Sequence, residues 1–455
     1  MQITKHNEWS MKKIVRHIMV AAVLFAALPV HAETIDLITA YQKAVEYDAR
    51  LRSAKADNLM NQEEVGKARS QLRPNIRMNA ARGRSVTQHG YLGGFYPADY
   101  YNTVNYGVSL RQPLLNMSSV AGYQQAKIVA EKSDTDLQRE EGILITRITE
   151  AYCNALYAED NLRFSNMLII ATAQQLEQAK RRFAQGFGTI TEVEEAQAGY
   201  DNAKAEGVDI LNSVEFSRRE LENLTGIYPD QLCRIIPRKL KLVMPQPDNV
   251  DSWIDIAHLS SPMVVGARQE IQIANKEVTK QRASRYPTIE LVAGRSYSES
   301  ENNYSIGSTY DTYSVSAQLN MPMYTGGYAS ASIRQASAKR LKAGEQLSAQ
   351  VRAVESEVRK YYNSIVSTIS MIKAYEQVVK SREVALTGTK KGYEAGLRSN
   401  VDVLDAQQKL FASQRNLAKA RYQYILNRLM LKQTVGTLTS DDINEVNGWL
   451  TRTQQ

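Results

Sequence analysis

Two periods share the chain. Val104, Tyr106, Val108 and Leu110 stand between Thr103, Asn105, Ser109 and Arg111. Tyr313, Val315, Ala317, Leu319 and Met321 stand between Thr312, Ser314, Ser316, Gln318 and Asn320. Period 2 with one apolar and one polar face predicts a strand between two unlike surroundings. Each run is about ten residues, the length of a tilted strand that crosses a bilayer. Shorter alternations precede them, at Ile76, Met78, Ala80 and at Ile289, Leu291, Ala293, and predict partner strands. The expected hairpins cover about 75–115 and 288–323. Elsewhere the pattern is helical: 37–72, 117–185, 191–225, 251–285, 327–395 and 401–435. Pro74 stops the first stretch. Gly186 and Gly188 separate the second from the third, and Gly396 separates the last two.

These segments fall into an internal repeat offset by about 210 residues. Arg69, Pro74 and Ile76 return as Arg282, Pro287 and Ile289. Gln112 and Pro113 return as Met321 and Pro322. Gly186, Val193, Ala196 and Gln197 return as Gly396, Val403, Ala406 and Gln407, and Gly226 returns as Gly436. Several anchors in one order imply two copies of one unit, over 33–243 and 244–455. Each copy reads helix, strand, strand, long helix, helix.

A helix of about 70 residues is about 105 Å long. It cannot bury its apolar stripe inside a compact monomer, so it packs laterally on other long helices, as coiled coils do. The shorter helices, about 35 residues each, match that length when stacked end to end in pairs.

The alternating strands fit a soluble, half-buried sheet or a membrane sheet. Tyr favours the membrane: there are 25 Tyr against 7 Phe. Tyr100, Tyr101, Tyr106, Tyr297, Tyr310, Tyr313 and Tyr324 crowd the strand ends, where amphipathic rings suit a membrane–water interface. The loops 87–100 and 298–309 are polar and rich in Gly, Tyr and Asn. Open edges are not tolerated in lipid, and four strands are too few to close. The chain is therefore expected to pool strands with identical copies. Two copies give eight strands and a filled interior. Three give twelve and a lumen, in agreement with the polar alternate face. Pro113 and Pro322 sit where strand passes into helix and a missing N–H is tolerated.

The N-terminus reads as a secretory signal. Lys12, Lys13 and Arg16 are basic, Ile18–Leu28 is a short apolar core, and Val30, His31 and Ala32 fit a cleavage site. The mature chain is expected to start at Glu33; Met11 serves as well as Met1 for the start. No Cys stands at the cleavage point to carry a lipid. The formal charge is +8, but residues 1–32 hold four Lys/Arg and one Asp/Glu, leaving 52 against 47, or +5. Those charges are scattered, which argues against nucleic acid as a partner. Only His89 and His258 lie beyond residue 32. Neither a catalytic centre nor a metal cluster can be assembled from the sequence, so no enzyme and no cofactor are expected. The only Cys, Cys153 and Cys233, would meet an oxidising compartment after export. Cys153 lies about 50 Å along a helix from the Gly186 break, and Cys233 follows a helix returning about 54 Å. Their similar height allows one disulfide; two unpaired thiols are the other reading.

The chain resembles the TolC-type outer-membrane channel family. The resemblance rests on the tandem repeat and on Arg182 and Phe183 with Gly186 to Val193. It rests above all on Tyr393, Gly396, Arg398, Asp402, Asp405 and Ala406, followed by Asn416, Ala420, Arg421 and Tyr422. It covers nearly the whole mature chain. It implies a mainly α fold with a membrane β-barrel: a homotrimer with twelve strands, a twelve-helix periplasmic tunnel and an equatorial belt. The belt would hold the Pro-rich insert 227–250 (Pro229, Pro237, Pro245, Pro247) and the segment 437–455. The implied function is an exit duct for drug efflux or type I protein secretion. Its implied partners are a periplasmic adaptor, an inner-membrane transporter and outer-membrane lipid. A periplasmic coiled-coil adaptor would share the long helices but would not need paired amphipathic strands in both repeats.

Asp402 and Asp405 are three apart and share a helix face. Helix-start chemistry accounts for Asp402, since Ser399 and Asp402 have capping-box spacing. It accounts less well for Asp405, because the dipole effect fades after the first turn. Three copies would set six carboxylates in a narrow mouth, able to select cations or hold one as a plug. In the family the matching aspartates form the constriction, and the residues matching Tyr393, Arg398, Thr191 and Glu192 latch it shut. Glu192 departs from the shorter Asp frequent there.

Mass spectrometry of the exported protein is expected to give Glu33 as the first residue. Retained residues before Ala32 would refute the cleavage site.

Overall fold

A computed structural model describes residues 34–301 and 307–451. The leader over 1–32 and the start at Glu33 lie outside them. The chain is mainly helical, and no described helix is long and apolar enough to cross a membrane.

The stretch 37–72 is two helices, α1 (Leu37–Tyr47) and α2 (Ala49–Ser70). Asp48 divides them. Its backbone is non-helical at φ −59°, ψ 117°. Its carboxylate accepts from the Leu51 amide at 2.7 Å and lies 3.2 Å from Arg147. A buried carboxylate with two such partners holds the chain out of helix, which helical periodicity cannot register. The partner stretch 251–285 divides the same way, into α5 (Val250–Ser260) and α6 (Pro262–Ala283). Here Pro262 at the first helical position forces the break at Ser261.

Four antiparallel strands form one sheet in chain order: β1 (Asn75–Thr87), β2 (Asp99–Leu115), β3 (Thr288–Ser300) and β4 (Ser308–Asn320). The register puts Ile76, Leu110, Ala293 and Val315 in one row and Met78, Val108, Arg295 and Tyr313 in the next. One face is therefore mostly apolar along its helix-proximal half, with Arg295 paired to Asp311 at 2.9 Å within it. The other carries Asn79, Gly107, Ser296 and Thr312 and their like. Pro113 lies inside β2, where the ladder with β3 shifts register before Leu115. A residue without an N–H suits that irregularity. The loop expected over 87–100 contains a small hairpin, Gly90–Tyr91 against Gly94–Phe95.

Helix α3 (Met117–Ala184) has 68 residues and α7 (Tyr328–Glu394) has 67. Each runs beside two shorter helices. The upper half of α3 packs on α2, where Asn58 donates to Asp134 at 2.8 Å. Its lower half packs on α4 (Ile190–Thr225), where Arg218 meets Glu159 at 2.8 Å. In the second half of the chain α7 packs on α6 above and on α8 (Asn400–Val435) below. Beneath the sheet the neighbours run α2, α3, α6, α7, the same order as the strands.

The main core lies at mid-height. Leu37, Ile148, Leu156, Leu221, Trp253, Ile365, Tyr424 and Leu431 belong to it. Two features of this belt escape any periodicity. Thr34–Ile35 pairs in parallel with Gln231–Leu232, and Leu450–Thr451 pairs with Arg234–Ile235. The insert thus binds both ends of the described chain. The buried Tyr152 hydroxyl donates towards the carbonyls of Ile35 at 2.9 Å and Cys233 at 3.0 Å.

The same tyrosine corrects the disulfide. Cys153 and Cys233 are both buried and not bonded to each other. Tyr152 faces Cys233, so Cys153, one residue on, turns about 100° away around the helix. Burial pushes its thiol up to about 12, with Glu150 adding to the shift. Such a thiol holds little of the thiolate that oxidation requires.

Gly436 ends α8 at φ +86°, and a Cβ there would stand 2.2 Å from the Ser260 carbonyl oxygen. Gly436→Ala is expected to destabilise the belt by more than about 3 kcal/mol, from left-handed strain and backbone overlap. Gly448→Ala, with nothing within 4 Å of the new carbon, is the control. Thermal unfolding in detergent compares them; equal midpoints would refute the close approach.

Candidate functional site

Each long helix ends in the same turn at the end farthest from the sheet. After α3 the Gly186 amide donates to Phe183 and the Phe187 amide to Arg182, at 3.0 and 2.9 Å. After α7 the Gly396 amide donates to Tyr393 and the Leu397 amide to Gly392, at 3.0 and 2.8 Å. Gly186 and Gly396 stand at φ +77° and +74°. This reversal closes the last carbonyls and needs a residue without Cβ strain. Gly188 serves differently: a Cβ would sit 3.2 Å from the Phe183 amide nitrogen.

The returning helices start with side-chain caps. Thr189 Oγ1 accepts from the Glu192 amide at 3.3 Å. In the second repeat the capping box is complete: the Ser399 amide donates to Asp402 Oδ2 at 2.8 Å and the Asp402 amide to Ser399 Oγ at 3.1 Å. The Asp402 carboxyl is held below its ordinary range by the hydrogen bonds from Ser399, backbone first, and by Arg398. Asp405 is half-exposed and paired with Lys409 one turn on. Both candidate ring carboxylates are thus already engaged within the chain, and Lys409 supplies for Asp405 the local role that helix-start chemistry left open.

The tips meet through a polar cluster. Arg182 lies over the Tyr393 ring, 4.9 Å from its centroid, and reaches the Tyr393 carbonyl at 3.5 Å. Asn400 is fully buried, and its amide points at the Glu192 carbonyl at 3.5 Å. Four buried polar atoms here have no hydrogen-bond partner among the described residues: Tyr393 Oη, Arg182 Nε, Glu192 Oε2 and Asn400 Oδ1. Unpaired buried polar groups cost about 1–3 kcal/mol each, which makes this a poorly satisfied joint. Arg398 is exposed and folds over Gly392, where a Cβ would meet its Cγ at 2.9 Å. Thr191 is exposed, apart from the cluster.

Of the expected latch, the structure gathers Tyr393 and Glu192, sets Arg398 beside them and leaves Thr191 at the surface. Sequence reasoning missed Arg182 and Asn400 as members of the joint. Their signal was their break with the repeat: Arg182 answers to Gly392 and Asn400 to Ile190. No group of three or more potential metal ligands exists among the described residues.

Residues 40–227 and 253–437 match the family described as outer membrane efflux protein. The chain is 31% identical over 443 residues to outer membrane protein TolC of Vibrio cholerae serotype O1, covering 97% of this chain and 99% of that protein. It is 31% identical over 422 residues to the alkaline protease secretion protein AprF of Pseudomonas aeruginosa, covering 91% and 87%. Its fold is similar to the crystal structure of the outer membrane protein VceC of Vibrio cholerae, with TM-score 0.74 at 20% identity, over 88% of this chain and 96% of that one.

A carboxyl whose folded pKa is depressed contributes stability above its unfolded pKa and loses it as pH falls through the folded value. The α8 cap is therefore expected to hold at about pH 4.5 and to loosen only below the ordinary aspartate value of 3.8. Hydrogen-exchange protection of the first α8 amides reads this. Protection lost already at the higher pH would refute the cap.

Proposed function

The chain belongs to the outer membrane efflux protein family, and on that premise we propose that three copies close one exit duct through the outer membrane. The protein resides in that membrane and extends into the periplasm, as its relatives do. The observation that carries the trimer is the open sheet. Strands β1 and β4 are edges of 13 residues each, and the pairing leaves one side of both without partners among the described residues. In lipid each unsatisfied group costs several kcal/mol. Twelve strands from three copies remove every edge and leave a lumen lined by the Ser, Thr, Asn and Gly face. The helices α2, α3, α6 and α7 leave the strands in matching order and continue the cylinder as twelve helices.

The duct works with a periplasmic adaptor and an inner-membrane transporter that supplies the energy. The helical tips support this. Phe187 and Leu397, next to the left-handed glycines, are 77% and 82% exposed. Apolar residues so placed at the periplasmic end suit a protein partner. The cargo is set by the transporter: small molecules in efflux, polypeptide in type I secretion. The similarity to AprF, a protease secretion protein, favours polypeptide.

The periplasmic mouth is the gate. Asp402 and Asp405 form a ring of six carboxylates in the trimer, moderated by the Ser399 cap and Lys409. Tyr393, Arg398 and Glu192, with Arg182, hold the closed state. The poorly satisfied joint keeps that state only slightly favoured over an opened one.

Unheated protein in detergent is expected to run as a trimer on a gel and to shift to monomer on boiling. In planar bilayers a trivalent cation is expected to block it from the periplasmic side. Asp402→Asn with Asp405→Asn keeps the cap's hydrogen bonds, removes the charge and is expected to weaken block at least about tenfold. Undiminished block would place the ring elsewhere; a monomer before heating would refute the duct.

A further inference from the structure

Charges that are scattered along the sequence are gathered by the fold, and the positive surplus collects where strands and helices join. Four short spans meet there: 67–73, 117–127, 276–285 and 328–342. Together they hold 12 Lys/Arg and one Asp/Glu, or +11, which leaves the rest of residues 33–455 at −6. The surplus of the whole mature chain therefore sits in one band below the sheet, about 21 Å deep along α7, repeated by each copy.

Helix-dipole compensation explains part of this. Lys67 and Arg69 end α2, and Lys280 and Arg282 end α6, where cations are favourable. It does not explain α7. Arg334, Lys339, Arg340 and Lys342 lie near the N-terminal end of that helix, beyond the turn where a dipole acts, and no acid lies among them. Local ion pairs do not absorb the charge either. Lys67 meets Glu64 and Lys280 lies 3.8 Å from Glu277. Arg285 donates to the Ser330 hydroxyl at 2.7 Å. Arg69, Arg73, Arg282, Arg340 and Lys342 are exposed and make no ion pair among the described residues.

The sheet-side edge of this band carries exposed aromatic rings. Tyr286, Tyr324 and Tyr328 are all well exposed, with Met323 between them. Above them on the apolar sheet face stand Ile76, Leu319 and Met321, also exposed. The sequence of zones along the axis is apolar, then tyrosine, then cationic. That is the order of acyl chains, interface and headgroups on one side of a bilayer.

We propose that this band is a lipid-binding collar: it engages the anionic phospholipid headgroups of the periplasmic leaflet of the outer membrane. The inference rests on the reading that β1 to β4 span the membrane. A phosphodiester headgroup fits because it offers charge and acceptor oxygens to guanidinium groups that no acid among the described residues occupies. The collar fixes the depth of the duct in the bilayer and resists axial pull by a partner at the periplasmic tips.

The test reconstitutes the full-length protein in bilayers of phosphatidylcholine with a minority of phosphatidylglycerol. Lipid that co-purifies with the protein in small bilayer particles is then assayed by mass spectrometry. Arg69→Gln, Arg73→Gln, Arg282→Gln and Arg285→Gln are combined in one variant, and Arg340→Gln with Lys342→Gln in a second, because the first set touches the ends of two helices. Wild-type protein is expected to enrich phosphatidylglycerol about threefold or more over the mixture, and less in high salt. Each variant is expected to lose most of that enrichment while still giving conductance steps. Conductance without enrichment in the wild type overturns the collar alone. Enrichment unchanged in both variants overturns it as well. Altered anion selectivity of the channel with unchanged lipid places the cations in the lumen and overturns it too. Absence of conductance from wild-type protein overturns the membrane-spanning reading and the collar with it.

Discussion

A sheet with two bare edges sets the terms for this molecule. β1 and β4 each present a row of backbone groups that no other part of the described chain pairs. In water such edges invite aggregation; in lipid they are prohibitively unstable. Pairing β1 of one copy with β4 of the next satisfies both at once. The helices emerge from the strands in the same order, so this operation also brings α7 of one copy beside α2 of the next. Close approach of this kind is already visible within the chain, where Ala329, Ala336 and Ala343 of α7 are buried at intervals of seven and α7 packs on α6. Small residues at that interval let helices approach along a seam.

The apolar contacts are distributed unevenly along the cylinder. One large cluster occupies the middle, where the chain termini, the insert and both long helices meet. Towards the tips the described residues form only two small clusters, around Leu168, Ala203 and Phe411 and around Leu176, Ala179 and Ala196. Local opening free energy follows local burial. The belt is thus the rigid frame, and the ends of the helical pairs can move with little loss of packing. A gate at the tips is the placement that disturbs the core least.

Much of this was legible in the sequence, for identifiable reasons. Alternation over 103–111 and 312–321 marks strands because a sheet between lipid and water must alternate. The long helices were legible because 68 residues without Pro have few other options. What was lost needed a partner distant in sequence. Asp48 breaks a helix through Arg147, about a hundred residues on, and no window sees that. The belt strands are two residues long and are made by pairing, not propensity. The disulfide estimate had heights right in principle but no azimuth, and azimuth decides whether two Cβ atoms face. Helix-start chemistry accounts poorly for Asp405 because its partner is the i,i+4 neighbour Lys409, not the helix terminus.

The two tips show how a duplicated backbone comes to carry unlike side-chain arrangements. Both reverse through the same left-handed glycine and the same pair of hydrogen bonds. Their side chains diverge in opposite senses. Phe183 and Ile190 are apolar and exposed, while their counterparts Tyr393 and Asn400 are polar and buried. Burial preference alone would predict the reverse. An inversion at both matched positions is costly, because Tyr393 Oη and Asn400 Oδ1 remain unpaired where they lie. A sequence retains such a cost where the groups find partners in another arrangement. Both tips present an exposed apolar residue, Phe187 and Leu397; the second differs in burying polar groups that lack partners where they lie. Arg182 of α3 joins the two tips across the Tyr393 ring, so a change in the buried polar pair of the second tip is felt directly by the first.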